Sequence, residues 1–265
     1  MNATTPSLRW RDRRGIYRPA GETINPKAYA VGSIDKDGPA KAFITAHHYS
    51  ASYPAAKFRA GLYQEVPTGT KLVGVAVFSV GMSALTLPKH GEVPADDGIE
   101  LGRLVLDEEV PANGETFFVA RALRLLRAAF PRLRAMLSLS DPLEWVNRDG
   151  TVVKRGHVGT IYQALGMRYR GRSTPRTMVL GADGRPLSPR ALQKVRSGEQ
   201  GQGYAIDQLV RAGAARPELE EDARAWLRRV LALPPFSRVR HPGCHSYAMR
   251  FDGVDLVGLP YPKMI

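Results

Sequence analysis

A strand, a loop and a helix are predicted in the sequence ELGRLVLDEEVPANGETFFVARAL, which spans Glu100–Leu123. The strand begins at Ile99 and ends at Asp107, and its Leu and Val residues are typical of a buried strand. The helix extends from Thr116 to Phe130, with apolar residues every three or four positions, so one of its sides is apolar. A buried strand followed by such a helix indicates a sheet that is covered by helices.

Similar patterns continue in both directions along the chain. Towards the N-terminus, a strand at 28–34 and a helix precede two strands, at 57–64 and 71–80, that are joined by a hairpin turn. Towards the C-terminus, a buried strand at 134–141 precedes a short helix and a strand at 168–172. The order β, α, β, β, β, α, β, α, β predicts an α/β (α+β) fold with a mixed sheet flanked by helices. That order matches the GNAT acyltransferase fold, although other α/β folds share it.

We expect three regions along the chain. Residues 1–27 are polar and rich in arginine, and are predicted to form a basic N-terminal arm. Residues 28–175 hold the alternating strands and helices and form the predicted GNAT-like catalytic core. Residues 176–265 are less regular and are expected to form a C-terminal extension packed on the core, with helices at 188–197 and 217–231 and a closing strand in HSYAMRF.

The chain carries a large excess of positive charge. Its 38 Lys and Arg residues against 25 Asp and Glu give a formal net charge of +13 and a pI near 10.1. A surplus of this size favours a polyanionic partner, with nucleic acid first and an anionic membrane second. The alternative is a surface whose charge only keeps the protein soluble.

Several classes of protein are excluded by the sequence. No apolar run approaches the roughly 20 residues that span a bilayer, and the N-terminal residues lack the apolar segment of a secretory signal. Cys244 is the only cysteine, so a disulfide within the chain is impossible and a cysteine-based zinc site is disfavoured. We therefore expect a cytoplasmic protein, of a bacterium or of a phage-infected host cell.

Three blocks of sequence, in the same order, resemble the Mom family of bacteriophage DNA-modification proteins. They are HHYS at 47–50, the strand–loop–helix block at 100–123, and LSLSDP at 137–142 with GHVGTIYQALGMRYRG at 156–171. The closing PGCHSYAMRF and GLPYPK also resemble the ends of family members. The resemblance implies a GNAT-like fold and the conversion of adenine in double-stranded phage DNA to N6-(carbamoylmethyl)adenine, which protects that DNA from host restriction enzymes.

The same blocks contain four candidate catalytic residues, His48, Tyr49, Asp141 and Tyr162. Asp141 ends a buried strand, where α/β sheets place functional groups, although a turn residue before Pro142 is the alternative. Tyr162 matches the tyrosine that in many GNAT enzymes helps to protonate the leaving thiolate, and a phenol suits that role. Core packing is the alternative for Tyr162, and a helix-capping or surface residue is the alternative for His48. The four side chains together also form a possible mixed N/O metal site, for which iron is the expected ion.

Further polar residues of these blocks are predicted to bind substrate or donor, namely Ser50, Arg103, Asn113, Glu115, Ser140, His157 and Gln163. Arg103 is a charge on an otherwise apolar strand, so we expect it to pair with a carboxylate or a phosphate. Two sets of regularly spaced arginines are predicted to contact nucleic acid: Arg121, Arg124 and Arg127 on one helix, and Arg168, Arg170 and Arg172 on one face of a strand. Solvated faces are the alternative for both sets.

The loop EEVPANGE lacks the [RQ]-x-x-G-x-[GA] motif with which GNAT enzymes usually hold the pyrophosphate of CoA. Product chemistry also bears on the donor, because a glycyl group supplies every atom of a carbamoylmethyl group, whereas an acetyl group lacks its nitrogen. Glycyl-tRNA is therefore the favoured donor, with acetyl-CoA as the alternative. The expected partners are double-stranded DNA and charged tRNA, and no membrane. Two other functions stay open: an ordinary N-acetyltransferase acting on another amine, and a non-catalytic nucleic-acid-binding protein on a GNAT scaffold.

Overall fold

The structure is a computed structural model that describes residues 7–18, 23–81, 83–146 and 149–263. The chain divides into two units. Unit 1 comprises Met1–Pro142, Lys154–Ser173 and Cys244–Ile265, and unit 2 comprises Leu143–Val153 and Thr174–Gly243. The end of the predicted C-terminal extension thus belongs to the same unit as the predicted core. Residues 1–6 and 19–22 of the predicted arm, and 264–265 of the predicted extension, lie outside the described residues.

The strands and helices follow one another along the chain. The first part contains β1 (Ser7–Arg11), β2 (Arg14–Arg18), β3 (Tyr29–Ser33), α1 (Asp37–His47), β4 (Ala56–Val66), β5 (Gly69–Ser79), α2 (Thr86–Gly91), β6 (Gly98–Leu106), α3 (Gly114–Ala129) and β7 (Ala135–Ser140). The second part contains β8 (Trp145–Val146), β9 (Val152–Lys154), α4 (Thr160–Ala164), β10 (Arg168–Arg172), β11 (Arg176–Leu180), α5 (Pro189–Ser197), α6 (Gln202–Arg211), α7 (Ala223–Leu231), β12 (Ser237–His241) and β13 (His245–Arg250).

The centre of unit 1 is a seven-stranded sheet in the order β10-β13-β7-β6-β5-β4-β3. Neighbouring strands are antiparallel except β6 and β7, which are parallel. The parallel pair arises because α3 crosses over between the two strands, as a parallel connection requires. This mixed sheet with flanking helices confirms the predicted fold class.

α3 and α1 cover opposite faces of the sheet. On β5, Ala76 and Phe78 belong to the apolar cluster that includes α3, whereas Val75 and Val77 belong to the cluster that includes α1. Because side chains alternate along a strand, these two clusters lie on opposite faces. Phe118 of α3 is fully buried, as the apolar periodicity of this helix predicts.

β6 and β7 separate from one another after a short paired stretch. Gly98, Ile99 and Glu100 of β6 lie opposite residues 135–137 of β7, and no further pair follows among the described residues. The C-terminal parts of the two parallel strands therefore diverge. We name this opening, between residues 101–106 of β6 and residues 138–140 of β7, the splay.

The N-terminal region contains a hairpin of β1 and β2. Its Arg9 is fully buried, donates a hydrogen bond to the Val110 carbonyl (2.9 Å) and another to the Pro111 carbonyl, and pairs with Glu115. The next residue, Trp10, packs in the cluster that includes α1. The hairpin is attached to the loop before α3 by the buried guanidinium of Arg9. Apolar periodicity could not predict it, because this attachment depends on a charged residue and on a distant part of the chain.

Unit 2 has an apolar core of its own. Residues of α5, α6 and α7 form this core, which includes the fully buried Trp226 of α7. The Trp226 indole N–H donates to the Ala215 carbonyl (2.9 Å). β11 pairs with β12 in an antiparallel hairpin and contributes Val179 to this core. None of the described helices of either unit is long and apolar enough to cross a membrane.

Several elements differ from the prediction. α7 begins at Ala223 and not at 217, because the Asp222 side chain accepts a hydrogen bond from the Ala225 N–H and caps the helix there. α6 was not predicted, since the glycines around its start, such as Gly201, are typical of loops. The segment between β5 and β6, for which no helix was predicted, contains α2 and a 3-10 turn.

Candidate functional site

The four predicted catalytic residues come together at the splay. His48 and Tyr49 follow the last residue of α1, Asp141 follows β7, and Tyr162 lies on α4. The rings of His48 and Tyr49 are 4.3 Å apart between centroids. Asp141 and Tyr162 both lie close enough to Tyr49 to raise the pKa of its hydroxyl. Side chains from three separate segments therefore share one site.

A chain of hydrogen bonds joins β6 to this site. Arg103 of β6 donates from Nη2 to Ser52 Oγ (2.6 Å) and from Nε to the Ser52 carbonyl (3.2 Å). Ser52 Oγ lies 3.0 Å from Ser50 Oγ, which lies 2.8 Å from His48 Nδ1. Since a guanidinium only donates, the Ser52 hydroxyl is left to donate to Ser50, and Ser50 to His48. Arg103 thus uses hydroxyl and carbonyl acceptors here and not a carboxylate, one of the two partners that we expected. The other expected partner, a phosphate, stays a prediction.

The contacts at Nδ1 fix the tautomer of His48. The backbone N–H of Ser50 also donates to Nδ1 (3.2 Å), so this nitrogen is an acceptor. Burial lowers the pKa of His48 well below its usual value, and the positive charges of Arg103 and Lys154 lower it further. At neutral pH, His48 is therefore a neutral imidazole that carries its proton on Nε2. Such a ring is suited to donate a hydrogen bond to a carbonyl oxygen.

Tyr49 and Tyr162 keep their phenolic protons at neutral pH. Burial is the largest cause that raises the pKa of each hydroxyl above its usual value. The negative charges of Asp141, for Tyr49, and Glu100, for Tyr162, act in the same direction. Both phenols are therefore suited to donate a proton or a hydrogen bond, and unsuited to act as bases.

Asp141 is held by a buried lysine. Lys154 Nζ lies 3.5 Å from Asp141 Oδ2 and donates to the Asp141 carbonyl (3.2 Å), and the Lys154 side chain is fully buried. Its ammonium is 5.7 Å from the centroid of the Tyr49 ring. The backbone N–H of His157 donates to the same Asp141 carbonyl (3.1 Å). Burial, followed by the charge of Lys154, lowers the pKa of His157 to about 4, so His157 is neutral here.

Tight packing surrounds the end of β7. Ser140 is fully buried, and its hydroxyl has no hydrogen-bond partner within the described part of the chain. A Cβ on Gly159 would lie 3.0 Å from that hydroxyl and closer still to the rings of Tyr247 and Tyr162. Gln163 donates from its amide to the Tyr247 hydroxyl (3.2 Å), so the fold itself uses this predicted donor-binding side chain.

The loop before α3 presents oxygen atoms at the position where GNAT enzymes hold pyrophosphate. Arg9 binds the carbonyls of Val110 and Pro111, and the Glu115 carboxylate lies in the first turn of α3, paired with Arg9. Asn113 is exposed and does not cap the helix with its side chain. A pyrophosphate requires N–H donors and is repelled by a carboxylate. The residues present do not fit the pyrophosphate of CoA.

Iron at the predicted mixed N/O site of His48, Tyr49, Asp141 and Tyr162 stays a prediction. Within the described ranges, no group of three or more His, Cys, Asp or Glu residues is arranged to hold a metal. His48 uses Nδ1 for Ser50, and Asp141 pairs with Lys154. The cations Arg103 and Lys154 next to these groups also oppose a further positive ion.

Two of the arginines predicted to bind nucleic acid have carboxylate partners. Arg168 on β10 donates to both carboxylate oxygens of Asp255, at 2.9 and 3.1 Å from Nη2. Arg170 pairs with Glu92 at 2.5 Å and donates to backbone carbonyls. These two arginines therefore connect β10 to other parts of unit 1.

The strand arginines do not share one face, so that part of the prediction is wrong. Arg168 lies opposite Ala248 of β13, and Arg172 lies opposite His245. Positions three residues apart on a regular strand face opposite sides, so Arg168 and Arg172 do as well. The cause is a bulge that includes Gly171 with φ +86°, a backbone conformation that favours glycine.

The helix arginines lie on the outer side of α3. Arg121 stacks on the Phe117 ring at 3.6 Å, and Arg127 stacks on the Phe251 ring at 5.3 Å. Arg124 is exposed and lines a surface depression of about 580 Å³ together with Arg127. Whether they contact nucleic acid stays a prediction.

Sequence comparison decides the family. A model of the Mom protein family matches residues 28–221. The chain belongs to the Mom protein family. The match includes all four residues that meet at the splay, and it extends beyond the predicted core into unit 2. Membership of the Mom family supports a role in the modification of phage DNA.

Two solved structures are distantly similar to this Mom-family chain. A tandem GNAT protein from the clavulanic acid biosynthesis pathway is 9% identical with a TM-score of 0.40, over 86% of this chain and 100% of that one. Malonyl-CoA decarboxylase from Rhodopseudomonas palustris is 11% identical with a TM-score of 0.32, over 71% of this chain and 43% of that one. The chain thus spans less than half of the decarboxylase. No curated protein sequence matches it.

Two residues of the site were not predicted from the sequence. Ser52 follows Ser50 by two positions, and extending the HHYS block to HHYSAS would have included it. Lys154 lies in the insertion between two family blocks, and its only sequence signal is a charge directly after two valines. Such a charge is typical of a strand end, so the sequence alone could not place Lys154 beside Asp141.

Proposed function

We propose that the protein transfers a glycyl group to N6 of adenine in double-stranded phage DNA, and that rearrangement gives N6-(carbamoylmethyl)adenine, which protects the DNA from host restriction enzymes. The observation that carries the proposal is the convergence of His48, Tyr49, Asp141 and Tyr162 at the splay, inside the segment that matches the Mom family. Family membership supports DNA modification, and the site chemistry supports acyl transfer.

The proposed reaction has two stages. The adenine N6 attacks the ester carbonyl of glycyl-tRNA, an amide bond forms, and the tRNA hydroxyl leaves with a proton. The free glycyl amine then attacks C6 through a five-membered ring. Breaking the original C6–N6 bond leaves C6–NH–CH2–CONH2, so every atom is accounted for without an oxidant or a reductant.

Each group at the splay has chemistry that suits the first stage. The Nε2–H of His48 can donate a hydrogen bond to the carbonyl oxygen as negative charge develops there. A donor that is already oriented towards this charge stabilises the transition state more than the ground state. The protonated phenols of Tyr49 and Tyr162 can supply the proton of the leaving hydroxyl. Asp141 has the acceptor oxygens that can take the proton from N6, and Lys154 positions it.

The surroundings of α3 favour an aminoacyl donor over CoA. Arg9 and Glu115 fill the start of the helix with an internal ion pair, and the carbonyls beside them repel phosphate. Iron is not required by the proposed reaction, and no step involves it. A net charge of +13 suits two nucleic-acid partners, the DNA substrate and a charged tRNA.

The test supplies purified protein with duplex DNA and either glycyl-tRNA or acetyl-CoA, each labelled in its acyl group. Nucleosides are then analysed by mass spectrometry. We expect label in a new adenine species with glycyl-tRNA only. Label from acetyl-CoA alone would overturn the proposed donor and favour an ordinary acetyltransferase. Unmodified nucleosides with both donors, despite tight DNA binding, would favour a non-catalytic binding protein.

Variants assign the site. Tyr162→Phe removes one hydroxyl from a ring that stays packed, and we expect a loss of about 10²–10⁴-fold in rate if this phenol is the proton donor. Tyr247→Phe is the matched control, because it removes a neighbouring hydroxyl whose partners are Gln163 and the Val158 carbonyl. Equal losses for both variants would assign Tyr162 to packing.

A further inference from the structure

We infer that the hairpin formed by β11 and β12 of unit 2 binds the phosphate backbone of double-stranded DNA. The inference rests on the proposed function, since it assigns a surface to the DNA partner of that reaction. The family blocks contain no residue of this hairpin, and the arginines predicted from the sequence lie on α3 and β10.

Charges in unit 2 fall into two groups. In the first group, arginines pair with carboxylates: Arg185 with Asp183, Arg190 with Glu199, Arg216 with Asp207, and Arg229 with Glu218 and Glu221. The second group has no carboxylate partner among the described residues and includes Arg176 of β11 with Arg238 and Arg240 of β12. The same group also includes cations of the helices, namely Lys194, Arg196, Arg211, Arg224 and Arg228. The hairpin differs in carrying three such arginines on two short paired strands that contain no acidic residue.

The hairpin keeps these charges available to solvent. Its strands, RTMVL and SRVRH, contain no acidic residue, and Arg176, Arg238 and Arg240 are all exposed. Arg238 lies opposite Val179 and Arg240 lies opposite Thr177, so neither has a charged neighbour across the ladder. An unpaired guanidinium makes strong bidentate hydrogen bonds to phosphate, and the Thr177 hydroxyl can add another.

Duplex DNA fits this hairpin better than other nucleic acids do. The major groove of B-form DNA, about 12 Å wide, admits a two-stranded β-ribbon, whereas the major groove of A-form RNA is too deep and narrow. Binding of single strands relies on aromatic side chains that stack on bases, and the strands of this hairpin have no Phe, Tyr or Trp. The surface therefore suits a double helix, recognised through its backbone and without base readout.

The paired arginines of unit 1 sharpen the contrast. Arg168 and Arg170 were predicted to bind nucleic acid, yet their guanidinium groups are occupied by Asp255 and Glu92. Phosphate would have to displace these carboxylates before it could bind there. Hairpin arginines face no such competition.

The test compares two double variants of the full chain that remove the same net charge. Arg238→Gln/Arg240→Gln alters the hairpin, and Arg185→Gln/Arg216→Gln alters two arginines of the same unit that pair with carboxylates. Binding to a fluorescent duplex is measured by anisotropy between about 50 and 200 mM NaCl. If both hairpin arginines contact phosphate, the slope of log K against log salt falls by about 1.8, and affinity near 0.1 M salt falls about 60-fold. For the control pair, we expect less than a threefold change, roughly the effect of net charge alone.

Each outcome decides the inference. Equal losses for the two variants, or wild-type binding by the hairpin variant, would overturn it. A loss of tRNA binding with duplex binding unchanged would assign the hairpin to RNA and also overturn it. Thermal midpoints confirm that both variants fold.

An assay of adenine modification shows whether a negative result counts against this inference or against the proposed function. If the hairpin variant modifies adenine at saturating DNA with a raised KM and an unchanged kcat, both hold. If the wild-type protein forms no modified adenine while the hairpin variant loses duplex binding, only the proposed function fails.

Discussion

Gly159, which precedes α4, offers a sharp test of the packing at the splay. Its φ of +75° lies in the left-handed region, and a Cβ there would lie 2.7 Å from the Tyr247 ring and 2.9 Å from the Tyr162 ring. Tyr247 is fully buried and Tyr162 is 8% exposed, so neither ring can withdraw into solvent. Gly166 is a matched position, because its φ is +74° and nothing lies within 4 Å of its would-be Cβ.

The expected losses follow from these two geometries. An alanine in the left-handed region costs about 1 kcal/mol at either position. Only Gly159→Ala also forces a methyl group into a packed site, and overpacking of this kind costs about 1–3 kcal/mol more. We therefore expect Gly159→Ala to lower the free energy of unfolding of unit 1 by about 2–4 kcal/mol, and Gly166→Ala by about 1 kcal/mol.

The assay must report on unit 1 alone, because two units need not unfold in a single transition. Hydrogen exchange of peptides from β7 and β13, followed by mass spectrometry in increasing urea, provides that readout. Since Tyr162 must shift to admit the methyl group, we also expect Gly159→Ala to reduce adenine modification at least about tenfold. Equal destabilisation by the two alanines would refute the packing described at the end of β7.

Three further variants test other contacts. Lys154→Met removes an attraction to Asp141 of about 5 kcal/mol at an effective dielectric constant of about 20. We expect the free energy of unfolding in urea to fall by about 3 kcal/mol. Adding Asp141→Asn should recover part of that stability, and strictly additive losses in the double variant would contradict the ion pair. The pKa of His157 is about 4 in the folded chain against 6.5 as the usual value, so the unfolded state binds more protons between these pH values. Its contribution to stability is complete above about pH 6.5 and is lost as the pH falls towards 4. The thermal midpoint of His157→Gln should therefore fall less than that of the wild type between pH 7 and 5, and identical pH dependence would show that folding does not lower the pKa of His157. Arg9→Met removes the guanidinium from the Val110 carbonyl and the Glu115 carboxylate, and leaves the Pro111 carbonyl with the Gly114 N–H as a donor. We expect a loss of about 3–5 kcal/mol and faster proteolysis of the N-terminal hairpin, whereas wild-type resistance would contradict its anchoring role.

The central sheet could be predicted because its elements have strong periodicity. The apolar repeat of α3 and the Val- and Leu-rich run of β6 each determine one kind of element, and both are confirmed. The candidate catalytic residues came from ordered sequence blocks, and the structure places them together. Local patterns and family blocks thus predicted the scaffold and the members of the site.

What could not be predicted depends on contacts between distant residues. Lys154 reaches Asp141 only because the chain returns to the end of β7, and no spacing rule encodes that return. The bulge at Gly171 turns Arg172 to the other face of β10, which a simple alternation does not anticipate. The tautomer of His48 depends on hydrogen bonds that start from a different strand.

The position of β13 has a consequence for synthesis of the chain. β13 is the last strand in sequence, yet it lies between β10 and β7 in the sheet. β10 therefore cannot pair within the sheet until residues 245–250 have left the ribosome, whereas the apolar core of unit 2 is complete once residue 236 has emerged. During translation, the inserted unit can fold while the larger unit that surrounds it in sequence is still open at one edge.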